Sequence, residues 1–127
     1  DRKDTVFVGL DTISNGDLQF LEYEGEVCQT RIPDSLARAA MGVAASDPRF
    51  AEVKGFEVPV GGSDIAAALA LGWDGICMSC IDPKLGSARH YHVPSDTPEN
   101  LDMDKFMLSI DFTEKLVERI IADRLGQ

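Results

Sequence analysis

Both histidines of the chain, His90 and His92, fall in one stretch that reads His-Tyr-His-Val-Pro-Ser-Asp-Thr-Pro-Glu-Asn-Leu over residues 90–101. Imidazole titrates near neutral pH and is a common neutral metal ligand, so His92 suits metal binding or general-base work. Pro94 and Pro98 stiffen the stretch and disfavour helix at the residues before them. Asp96 and Thr97 can bond to nearby backbone, as short polar side chains do in turns. The expectation is a rigid polar loop that holds an imidazole and a carboxylate. A well-capped connection with two surface histidines fits the same residues.

Three further groups carry chemistry. Asp11 closes the apolar run Val6-Phe7-Val8-Gly9-Leu10. A carboxylate there can serve as a hard ligand for a divalent metal, or as a turn partner. Ser63-Asp64 follows Gly61-Gly62 and precedes a helical pattern. It lacks the Gly-x-Ser-x-Gly surroundings of a nucleophile, so a helix cap is its default role. Gly61-Gly62 likewise lacks the lysine and spacing of a phosphate loop. Cys77 and Cys80 form a C-x-x-C inside an apolar run. Strand alternation sends the two thiols to opposite faces, where they would be buried and inert. A zinc site from Cys77, Cys80, His90 and His92 is conceivable, but His-x-His does not match structural zinc spacing.

These residues need elements to position them. Val6 to Leu10 suits a strand covered on both faces. Ser14-Asn15-Gly16-Asp17 is a turn signal, and residues 18–23 read as a second strand, more polar and nearer an edge. The Asn-Gly pair also allows a hairpin, so the relative direction of these strands stays open. Glu24-Gly25-Glu26 reads as a loop. Leu36, Ala39, Ala40, Val43 and Ala44 form a helical stripe that starts near Pro33-Asp34-Ser35 and stops at Asp47-Pro48. Residues 56–60 read as a short strand, placed at an edge or end by Pro59. Residues 65–71 read as a helix with Gly72 as its stop. Residues 75–81 form another buried strand. Residues 104–125 form a long helix with Phe106, Ile110, Val117, Ile120, Ile121 and Leu125 on its core face. The order predicts an α/β fold: a mostly parallel or mixed sheet of about four strands with helices packed on it. In such sheets, loops at the carboxyl ends of strands form the binding crevice.

The chain has 127 residues, which suits one domain or a large piece of one, and its hydrophobic fraction of 44% supports a core. The formal net charge of −10 argues against nucleic acid and against an anionic membrane surface. No apolar run approaches the roughly 18 residues that span a bilayer. Three cysteines do not form a disulfide scaffold. The chain opens on Asp1 and soon enters a strand, which fits a sequence that begins inside a longer polypeptide.

The strand ending Leu10-Asp11, the loop Gly61-Gly62-Ser63-Asp64 and the string Tyr91-His92-Val93-Pro94-Ser95-Asp96-Thr97-Pro98-Glu99-Asn100-Leu101-Asp102, in this order, resemble the C-terminal half of the two-zinc exopeptidase family. That family includes leucyl-type aminopeptidases, aminopeptidase Y-like enzymes and glutamate carboxypeptidase-like proteins. The resemblance spans nearly the whole chain. It implies two zinc ions sharing a bridging water, as in other two-metal hydrolases, with a peptide as substrate. It also implies Asp11 on one zinc, His92 on the other, Asp96 orienting the His92 loop, and Ser63 and Asp64 shaping the pocket wall. The family's other ligands are a His-x-Asp pair and a Glu that directly follows the general-base Glu. This sequence has no histidine before His90 and no Glu-Glu pair, Val93 stands where Thr is usual, and Ile65 follows Ser-Asp where His is frequent. The expectation is part of a zinc exopeptidase-like domain, inactive alone and with no catalytic residue of its own. The alternative is a non-catalytic α/β interaction module of the same fold. An open edge at Val6–Leu10 would favour self-association.

Overall fold

The computed structural model describes residues 1–126. Its central strand is β6 (Asp74–Ile81), whose residues from Gly75 onward are all buried. Strands covered on both faces read as unbroken apolar runs, which is why Ile76-Cys77-Met78 shows no alternation. β1 (Val6–Leu10) lies parallel to β6 on one side, with Val8 opposite Ile76. β2 (Asp17–Leu21) lies antiparallel on the other, with Gln19 opposite Ser79. β5 (Lys54–Phe56) pairs parallel to β2. The sheet is therefore mixed and four-stranded, in the order β1-β6-β2-β5. The strands flanking the Asn-Gly turn do not form a hairpin, because β6 inserts between them. A second, two-stranded sheet joins β3 (Tyr23–Glu24) to β4 (Thr30–Arg31).

Two helices cover one face of the main sheet. In α1 (Asp34–Ser46) the buried residues are Leu36, Ala39, Ala40, Val43 and Ala44, the stripe expected from the sequence. No side chain caps this helix; the Pro33 carbonyl accepts from the Leu36 and Ala37 amides instead. Asp47 is extended because Pro48 follows it, which ends the helix. In α3 (Met103–Leu125) the buried residues are Ser109, Phe112, Thr113, Leu116 and Ile120. This differs from the expected core face, of which only Ile120 is fully buried. Ser109 and Thr113 go inside because their hydroxyls donate to the carbonyls of Lys105 and Ser109, both at 2.7 Å. A buried stripe containing two hydroxyls does not register as apolar. Val117, Ile121 and Leu125 are left exposed. The Phe50 and Phe112 rings meet edge-to-face at 5.1 Å and help join the α1 side of the core to α3.

The opposite face carries the short α2 (Ile65–Ala70). It sits directly on bare backbone: a Cβ at Gly9 would fall 2.8 Å from the Ile65 side chain. The rest of that face stays open. Residues 57–60, expected to share a strand with Phe56, leave the sheet after it. Among the described residues, no helix is long and apolar enough to cross a membrane.

Candidate functional site

The open part of the α2 face forms a cleft of about 190 Å³. Its floor is Leu21, Ser79 and Ile81; one wall is Gly61, Gly62 and Ser63, and another is Gly86, Ser87, Ala88 and Tyr91. Asp11 and Thr12 stand at one end, just past the carboxyl end of β1. The Asp11 amide donates to the Met78 carbonyl at 3.1 Å, which continues the β1–β6 ladder by one residue and fixes where the carboxylate emerges. Thr12, at φ 52°, places its hydroxyl 2.6 Å from that of Ser79. A second cavity, of about 230 Å³, adjoins: Asp11 and Ser63 line both, and Asp64 and Cys77 line this one. The structure thus brings together Asp11, Ser63 and Asp64, three of the five residues singled out from sequence.

Ser63 has a partner that sequence did not suggest. Glu24, expected in a loop, lies in β3 and is 1% exposed. Its Oε1 accepts from the Ser63 amide at 2.9 Å and from the Ser63 hydroxyl at 2.5 Å. Its Oε2 is buried with no partner among the described residues. The Ser63 hydroxyl in turn accepts from the Ile65 amide at 3.2 Å, so Ser63 does act in the helix start as expected. The Gly25 amide donates to the Gly61 carbonyl at 3.1 Å and ties the same wall to the smaller sheet. No local pattern marks Glu24, since its role depends on a residue 39 positions away.

His92 and Asp96 stand differently. Both are exposed. The His92 ring stacks on Tyr91, centroids 3.8 Å apart and planes 18° apart, and Tyr91 is the residue that lines the cleft. His90 and His92 both hold positive φ, 62° and 53°, a backbone region costly for side chains with a Cβ. Within this loop His90 Nδ1 and Ser95 Oγ share a hydrogen bond at 2.7 Å. Asp96 contributes its backbone amide, donated to the Val93 carbonyl. The loop is held from outside by Asn15, whose amide donates to the Asn100 carbonyl at 2.6 Å, while Asn100 donates to the Ser95 carbonyl at 2.7 Å. Upstream, Asp82 accepts from Arg89 and from the Lys84 amide, all at 2.8 Å. The Lys84 amide first, then the Arg89 guanidinium, hold the Asp82 carboxyl below the usual carboxylate range.

Cys77 and Cys80 face opposite sides of the sheet, as alternation requires. Burial pushes the Cys77 thiol up to about 12. The Cys80 sulfur lies 3.4 Å from Ser109 Oγ on α3, the far side from the cleft. They cannot share one metal with His90 and His92. Among the described residues, no three His, Cys, Asp or Glu side chains gather into a metal-holding group. Two ligands do not make a catalytic zinc site, so these residues by themselves do not fit a complete two-zinc centre. Comparison of the chain with protein-family models, curated proteins and solved structures finds no match.

Proposed function

We propose that this chain supplies part of the peptide cleft of a zinc-dependent exopeptidase. Asp11 and His92 would be two corners of its metal centre, and the remaining ligands and the general base would come from outside these residues. The observation that carries this reading is the position of Asp11, at the carboxyl end of a parallel strand and at the mouth of a cleft. Another wall of that cleft ends at Tyr91, on which His92 stacks. When bound, such metals polarise a carbonyl and activate a water. This chain's own residues do the rest. Asp11 would offer a hard oxygen ligand, and His92 an imidazole nitrogen, its ring stacked on Tyr91. Leu21, Phe56, Val58, Val60 and Ile81 offer an apolar wall for a peptide side chain.

Zinc titration of the chain, followed by calorimetry, tests this. The expected result is weak binding that is lost in Asp11→Asn and in His92→Ala, with no hydrolysis of aminoacyl anilides by the chain alone. Zinc binding indifferent to both substitutions overturns the assignment. Tight binding of two zinc ions with turnover by the chain alone overturns the claim that part of the centre lies elsewhere.

A further inference from the structure

The turn Ser14-Asn15-Gly16 leads from β1 into β2 and also fastens the loop ahead of α3. Asn15 Nδ2 donates to the Asn100 carbonyl at 2.6 Å, and the Ser14 hydroxyl accepts from the Asp102 amide at 2.8 Å. Asn100 passes the hold on through its own bond to the Ser95 carbonyl at 2.7 Å. Asn15 is half-buried, and its bond lies at the surface. It holds φ 61°, in the left-handed region that asparagine tolerates better than most residues. Gly16 follows with no side chain to shield its amide. That amide has no hydrogen-bond acceptor among the described residues. A free amide nitrogen thus stands next in the chain to a carboxamide carbon it can attack. The chain's other asparagine, Asn100, is followed by Leu101, whose branched side chain crowds the same approach.

We propose that Asn15-Gly16 is a self-modification site, at which loss of the Asn15 carboxamide unfastens the loop that carries His90 and His92. The Gly16 nitrogen bonds to Asn15 Cγ and closes a cyclic imide. The Cγ–Nδ2 bond breaks, and Nδ2 leaves as ammonia with the proton of the Gly16 amide. Water then adds to one imide carbonyl and breaks its bond to the ring nitrogen, which takes a proton from the water. Opening at Cγ gives aspartate; opening at the main-chain carbonyl gives isoaspartate. Either product lacks the Nδ2 donor and sets a carboxylate against the Asn100 carbonyl. An acceptor facing an acceptor costs more than a bond simply lost to water. Isoaspartate also adds a carbon to the main chain just before Gly16, where there is no slack. A Cβ on Gly16 would already lie 2.6 Å from the Ile81 carbonyl carbon. The step consumes water alone, and it stands whether or not His92 binds a metal.

Ageing the folded chain in warm, mildly alkaline buffer tests this, with circular dichroism to show that it stays folded. The expected result is an acidic band on isoelectric focusing, a peptide map that puts the change at Asn15 and not at Asn100, and isoaspartate labelled by isoaspartyl methyltransferase. Tyr91 and Leu101 are exposed in the loop. Chymotrypsin should cut after them on the order of tenfold faster in the aged chain, since cleavage follows the open population of a loop that has lost a hydrogen bond. Asn15→Asp should be cut at the fast rate when fresh. Asn15→Gly, which accepts the positive φ and has no carboxamide, should also be cut fast and should never form the acidic band. A folded chain that keeps its carboxamide while the urea-unfolded chain loses it overturns the proposal. So does an aged chain, or Asn15→Asp, that is cut no faster than the fresh parent. Should either variant fail to fold, the aged and fresh parent chains decide alone.

Discussion

The carboxylate of Glu24 holds Ser63 by two hydrogen bonds to one oxygen, from the amide at 2.9 Å and from the hydroxyl at 2.5 Å, across a gap of 39 residues. This pair joins the smaller sheet to the wall of the cleft. Removing Glu24 strands two donors in a part-buried site. Glu24→Ala is expected to destabilise the fold by about 2–4 kcal/mol in urea unfolding, the range for a lost buried charged acceptor. Glu24→Gln keeps the shape and one acceptor, so a smaller loss is expected. Ser63→Ala with Glu24→Ala should cost less than the two single losses added, because both remove the same contact. Strict additivity would show that the pair does not act as a unit.

The three thiols should differ sharply in reactivity. Cys28 is exposed, whereas Cys77 and Cys80 are buried. One thiol should react with a disulfide reagent in the native protein at neutral pH, and three after denaturation. Burial, the largest influence, holds the Cys77 thiol near 12 against its ordinary 9.0. The folded protein therefore keeps a proton that the unfolded chain releases in this interval. Stability from this group is fully present below about pH 9 and falls as pH rises toward 12. Denaturant midpoints measured across that range check the sign, and Cys77→Ala should flatten the fall.

Gly16 sits where the chain turns into β2 against the end of β6. A Cβ there would come within 2.6 Å of the Ile81 carbonyl carbon and 2.7 Å of its oxygen, both main-chain atoms. Neither strand can yield without breaking the Asp17–Ile81 end of the ladder. Gly16→Ala should cost roughly 2–4 kcal/mol, in the range of severe backbone clashes, with the loss read in thermal unfolding. A variant as stable as the parent would mean that the strand ends are free to separate.

The sequence by itself determined the α/β class, the buried run in β6, the α1 stripe and the opposed thiols. Each of these follows from an unbroken apolar run, from a period of 2 or 3.6, or from a proline, all of them local. β1, expected to be covered on both faces, is instead an edge strand with Phe7 and Leu10 exposed, because only β6 pairs with it. The sequence also located Asp11, Ser63 and Asp64 at loops beside strand or helix ends, and the structure places Asp11 and Ser63 at the cleft and all three at the adjoining cavity. The tertiary structure decided what depends on distant partners. β6 separates β1 from β2, so Asn15-Gly16 makes no hairpin; instead Asn15 bonds to Asn100. Ser109 and Thr113 enter the core because their own helix satisfies their hydroxyls, and that turns Val117 and Ile121 outward toward the β1 edge. Glu24 is buried because Ser63 meets it. A chain read residue by residue shows periods and turns; it does not show which donor a buried carboxylate will meet.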